Sequence, residues 1–148
     1  MAYRRNFLVG AAAVVLLPFD AAHATRDALA TLIKEVTGGK EVRVGKVTLN
    51  APPLIENGNT VPLTVAVESP MTDADYVKTI HVMNEKNPQP HVFTATLTPR
   101  NGKAQVGTRI KLADTQKIVV IAETSSGEFW SASAEVIVTI AACIEDVN

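Results

Sequence analysis

The sequence predicts an all-β, immunoglobulin-like antiparallel β-sandwich with one short N-terminal helix. Three observations carry this. From Val42 onward apolar residues recur with a period of two, the mark of half-buried strands. About seven such stretches follow one another, each closed by turn-forming residues, which is the spacing of a sandwich. The apolar content comes mainly from Val, Ile, Leu and Ala, with few aromatic residues, so the core is aliphatic.

The first residues are an address and stand outside the fold. Arg4 and Arg5 form a twin-arginine pair, followed by Asn6, Phe7 and Leu8. The apolar run from Leu8 to Leu17 is shorter than the roughly 20 residues that span a bilayer, and Pro18 ends it. Ala22-His23-Ala24 is a small-x-small cleavage site. Residues 1–24 are therefore expected to be a twin-arginine (Tat) signal peptide, with Thr25 the first mature residue and the periplasm the destination.

Arg26 to Val36 reads as a helix, because Leu29, Leu32, Ile33 and Val36 make one apolar stripe and Gly38-Gly39 stops it. Val42, Val44, Val47 and Leu49 mark a first strand region, broken near Gly45 and interrupted at Ala51-Pro52-Pro53. Glu56-Asn57-Gly58-Asn59 has turn chemistry. Val61, Leu63, Val65 and Val67 alternate with polar or small neighbours, as a half-buried strand does. Further strands are expected from about Val77 to Met83, around Phe93–Leu97, over Ala104–Leu112 and over Trp130–Ile140. Ile118 to Ala122 is a continuous apolar run, expected of a central strand. Trp130 is expected in the core. The sandwich domain then spans residues 25–140 and leaves a C-terminal arm, 141–148.

Charge excludes some partners. Without Arg4, Arg5 and Asp20, the mature chain has 12 basic against 14 acidic residues, a net charge of −2. That is no footprint for nucleic acid, and no basic amphipathic stretch or second long apolar run points to a membrane.

The cysteine count is the informative number. There is one, Cys143, so no internal disulfide forms. It stands three residues past the expected end of the last strand, after Ala141 and Ala142 and before Ile144. Chain ends are commonly exposed, and a thiol there is presentable to other proteins. Glu145 and Asp146 disfavour the reactive thiolate, so a partner has to activate it. Other candidates are weaker. His81 and His91 match no zinc spacing, and read as strand-surface histidines that become neighbours only if their strands are adjacent. Asp73 and Asp75, beside Thr72, read as a turn rather than an acid/base pair. No Gly-x-Ser-x-Gly, phosphate loop or HExxH occurs, so no catalytic set and no metal site are expected.

Glu56-Asn57-Gly58-Asn59-Thr60-Val61-Pro62-Leu63-Thr64-Val65, Val67-Glu68-Ser69-Pro70-Met71-Thr72 and Tyr76-Val77-Lys78-Thr79-Ile80-His81-Val82 together resemble the SoxY family, the sulfur-carrying subunits of bacterial thiosulfate oxidation. Asn87-Pro88, Phe129-Trp130 and Val138-Thr139-Ile140 leading to a terminal cysteine fit as well, and the resemblance covers nearly the whole chain. It implies a non-catalytic carrier without a cofactor, paired with a SoxZ-like sandwich subunit. Cys143 then carries the sulfur substrate as a covalent adduct. A c-type cytochrome couples thiosulfate to the thiol, and a dimanganese hydrolase releases sulfate. The arm departs from the family's Gly-Gly-Cys-Gly-Gly. Ala141, Ala142 and the segment from Ile144 to Asn148 contain no glycine, so this arm is expected to be stiffer, bulkier and more negative. The rival reading of the residues is a non-catalytic periplasmic assembly subunit, with Cys143 idle or in an intermolecular disulfide.

Overall fold

A computed structural model describes residues 21–140, with side chains from Arg26 on. Helix α1 (Ala21–Thr37) turns Leu29, Leu32, Ile33 and Val36 to one side, and Leu29 is buried. Past it, the amides of Gly38 and Gly39 donate back to the carbonyls of Glu35 and Lys34 at 3.3 and 3.0 Å, a Schellman-type stop. The helix starts earlier than the stripe required. The Ala22-His23-Ala24 site falls in its first turns, while every residue of the apolar stripe lies beyond Thr25.

Nine strands follow among the described residues: β1 (Val42–Val44), β2 (Val47–Asn50), β3 (Leu54–Asn57), β4 (Val61–Val67), β5 (Val77–Asn84), β6 (His91–Thr96), β7 (Ala104–Ile110), β8 (Gln116–Thr124) and β9 (Phe129–Ile140). One sheet has the order β1-β9-β8-β5-β6, with β3 also pairing with β9, and the other has the order β2-β4-β7. The two-sheet sandwich with an N-terminal helix is the expected class. Two of its pairings are not antiparallel, because β1 and β3 both run parallel to β9.

Between the sheets lies one aliphatic core. β4 contributes Val61, Leu63 and Val65, β5 contributes Ile80 and Val82, and β8 contributes Ile118, Val120 and Ala122. Each Val, Leu or Ile among them taken fully from water is worth about 1.5–3 kcal/mol. A second, smaller cluster joins Leu29 to Met83, Ile121 and Phe129, so α1 forms a third layer on the outer face of the larger sheet. That explains the unbroken Ile118–Ala122 run. β8 sits between β9 and β5 with the core on one face and the helix on the other, and no position along that run is left for a polar residue.

Trp130 departs from expectation. It is half-buried and belongs to neither cluster. Its ring lies under the kink where the chain leaves β1 in one sheet and enters β2 in the other. Gly45 (φ 128°) and Lys46 (φ 54°) make this crossing. The Lys46 ammonium stands 4.6 Å from the ring centroid and the Arg43 guanidinium 5.7 Å.

Candidate functional site

Cys143, Ala141, Ala142 and Ile144, and likewise Arg4 and Arg5, lie outside the described residues. The structure describes the base from which the arm departs, the end of β9 at Ile140.

That base is held from two sides. From the β3 side, the Gly58 amide donates to the Ile140 carbonyl at 2.9 Å. The Thr139 hydroxyl donates to the Glu56 carbonyl at 3.2 Å, and the Ile137 amide to the Pro53 carbonyl at 2.9 Å. Gly58 is buried, and its own carbonyl accepts from the Leu112 amide at 2.8 Å. One residue thus ties the end of β9 to the segment after β7. Asn57 holds the turn in shape, its Oδ1 accepting from the Asn59 amide at 2.9 Å.

From the other side, the Thr115 hydroxyl accepts from the Val138 amide at 2.9 Å and faces the Val138 carbonyl at 3.4 Å. Thr115 sits in the loop before β8, and that loop is locked by the buried Gln116 and the half-buried Asn87. Gln116, 2% exposed, accepts from the Lys86 amide at 2.8 Å and donates to Asn87 Oδ1 at 2.8 Å. Asn87 Oδ1 also accepts from the Ala113 amide at 3.0 Å, and its Nδ2 donates to the Lys111 carbonyl at 3.0 Å. Asp114 is held below the usual carboxylate range by the Thr115 amide and by Lys86. Glu56-Asn57-Gly58-Asn59 and Asn87-Pro88 are therefore parts of one device that fixes the last strand. Read as turns alone, they gave no sign of meeting there. The Asn87–Gln116 pair is long-range in sequence and has no local pattern.

The remaining candidates fall as follows. Asp73 and Asp75 lie in a turn, where the Asp75 amide donates to the Thr72 carbonyl and hydroxyl at 3.2 Å each. His81 and His91 come together on adjacent strands around the Thr94 hydroxyl. Burial and the neighbouring His91 push the His81 imidazole below its ordinary value, and Glu123 opposes them. Among the described residues no group of three or more His, Cys, Asp or Glu converges as a metal cage, and no helix is long and apolar enough to cross a membrane.

Comparison with known proteins agrees with this architecture. The model of the family described as sulfur oxidation protein SoxY matches residues 33–143, a span that includes Cys143. Among solved structures, the sulfur carrier protein SoxY from Chlorobium limicola f thiosulfatophilum is 30% identical with a TM-score of 0.65, covering 77% of this chain and 98% of that one. A superoxide reductase (neelaredoxin) from Ignicoccus hospitalis is 18% identical with a TM-score of 0.57, over 64% of this chain and 80% of that one. A superoxide reductase from Nanoarchaeum equitans is 11% identical with a TM-score of 0.55, over 64% of this chain and 99% of that one. The two reductases share the fold alone. No curated protein matches the chain. With three quarters of its length matched by the family model and a 30% identical carrier of the same sandwich form, the chain belongs to the SoxY family of sulfur oxidation proteins.

Proposed function

We propose that the chain is a Tat-exported periplasmic sulfur carrier that holds thiosulfate-derived sulfur on Cys143. The observation that carries this reading is the placement of the chain's only thiol three residues beyond a strand end fixed from two sides. Three extended residues reach about 10 Å, enough to bring a sulfur atom out from a rigid base. No catalytic group is needed on the carrier itself. Loading joins the Cys143 thiolate to the outer sulfur of thiosulfate, giving a thiosulfonate adduct. Two electrons leave in this step, and a c-type cytochrome is the acceptor. Hydrolysis then cleaves the bond to the terminal sulfonate. Water supplies the oxygen, sulfate departs, and a persulfide stays on Cys143. A sulfate-releasing hydrolase does this second step.

A SoxZ-like subunit is the proposed partner. Val44, Leu54, Ile137 and Ile140 are 87%, 54%, 48% and 64% exposed, and all belong to β1, β3 and β9 at one margin of the larger sheet. Leu54 and Ile137 are register partners. Exposed aliphatic residues gathered at a sheet margin favour cover by another chain. A stable complex there buries about 1,200 Å² or more.

The test of the pairing is co-expression with a SoxZ-like subunit followed by light scattering. A one-to-one heterodimer is expected, and Leu54→Asp combined with Ile137→Asp should release the partner. A complex indifferent to both substitutions places the interface elsewhere. A well-behaved monomer that never takes a partner contradicts the carrier reading.

A further inference from the structure

The chain has three histidines. His23 lies in the segment expected to be removed, and the other two meet on one face. β5 and β6 pair antiparallel, with His81 directly opposite Thr94. His91 is three residues from Thr94, and in a regular strand that odd spacing would send it to the opposite face. The ladder is not regular there. Val82 pairs with Phe93, but the next β5 residue, Met83, pairs with His91. Val92 is the extra residue of a β-bulge, and it packs against the main core. The bulge inverts the alternation and turns His91 onto the face of Thr94. Re-aiming a side chain is what bulges beside functional sites do.

The result is a convergence. Thr94 Oγ1 is 2.9 Å from His81 Nδ1 and 2.9 Å from His91 Nε2. Two contacts of that length on one oxygen keep the two ring nitrogens within about 6 Å of each other. The hydroxyl has a single proton, so it donates to one ring and accepts from the other.

We propose that His81 and His91 form a two-imidazole site for a divalent first-row transition ion, Cu²⁺ ahead of Zn²⁺. Imidazole suits both ions, and copper binds such nitrogen sites more tightly. A metal bound at about 2.0–2.1 Å from each nitrogen takes the space between the rings, and the Thr94 hydroxyl turns aside. His91 is exposed and on the edge strand β6, so its ring has room to close the gap. His81 is half-buried on the inner strand β5, so its ring is the fixed side of the pair. Glu123, held by Lys78 and Thr79, adds nearby negative charge. Among the described residues no further His, Cys, Asp or Glu completes the site, so its remaining positions take water.

Calorimetric titration of the full chain with CuCl₂ and with ZnCl₂ tests this, in parent and Cys143→Ser proteins. One equivalent is expected in both, with paired shifts of the two histidine ring resonances on adding Zn²⁺. His81→Ala and His91→Ala should each weaken binding about tenfold or more. Thr94→Val should bind within a few-fold of the parent, since the hydroxyl is displaced rather than used. Equal affinity after His91→Ala overturns the site. So does an equivalent that vanishes with Cys143→Ser, because the thiol would then be the ligand.

Discussion

The Gly58 amide donates to the Ile140 carbonyl at 2.9 Å, and by this bond the turn after β3 holds the last residue of β9. Gly58→Pro removes the donor. Losing a bond from this buried peptide should cost about 1–3 kcal/mol, or about 4 °C in Tm for each kcal/mol. Amide exchange at Thr139 and Leu112 should quicken with it. An unchanged melt and unchanged exchange would mean that the Gly58 bond does not hold the base of the arm.

Trp130 is the chain's only tryptophan, so its fluorescence reports on the β1–β2 crossing. Lys46→Met removes the cation from the ring face and should cost about 0.5–1 kcal/mol, with a shift in emission. Gly45→Ala should cost more, about 1–3 kcal/mol. Its φ of 128° strains an L-residue, although a Cβ there would only touch the Trp130 ring in ordinary contact at 3.6 Å. Denaturant melts followed by emission give both values. If Lys46→Met proves the more damaging of the two, the crossing is held by charge rather than by backbone shape.

The legible parts of the sequence were those with local periodicity. Val61, Leu63, Val65 and Val67 all point to the core as their alternation required, and the α1 stripe meets the sheet as its spacing required. β3 was not legible. Leu54–Asn57 lies between two prolines and an Asn-Gly turn, and it becomes a strand by pairing in parallel with β9, some eighty residues away. The Trp130 position failed for a related reason. Alternation places it on the inner side, but the sheet-switching kink at Gly45 decides what covers it. Cys143 was conspicuous as the lone thiol, whereas the Gly58 and Gln116 supports near the end of β9 come from distant segments with no shared pattern.

The His81 proton links stability to pH. Burial and His91 lower its folded-state value below the ordinary 6.5. The folded chain therefore binds this proton less readily than the unfolded chain. The contribution is fully present above pH 6.5 and is lost as pH falls through the folded-state value. His91 on β6 and Glu123 on β8 bear on it, and Lys78 on β5 pairs with Glu123. His81→Gln should flatten the slope of Tm below pH 6.5. A slope unchanged by that substitution would assign the pH dependence to other groups.

We propose that Glu145 and Asp146 set the reactivity of the arm by charge. Replacing both with glycine removes two negative groups next to Cys143 and frees the chain. Alkylation by iodoacetamide should become faster, and the gain should shrink in high salt, where charges are screened beyond a Debye length of about 3 Å at 1 M. Equal rates for parent and variant at low and high salt would show that the two acids leave the thiol's reactivity unaffected.

Intact-mass measurement of the protein isolated from cells oxidising thiosulfate, followed by peptide mapping, tests the carrier role most directly. Thiosulfonate and persulfide additions are expected only on the peptide bearing Cys143 and not in Cys143→Ser, with the two proteins melting alike. A parent protein that shows only the free thiol, or only a disulfide-linked dimer, under the same conditions would contradict it.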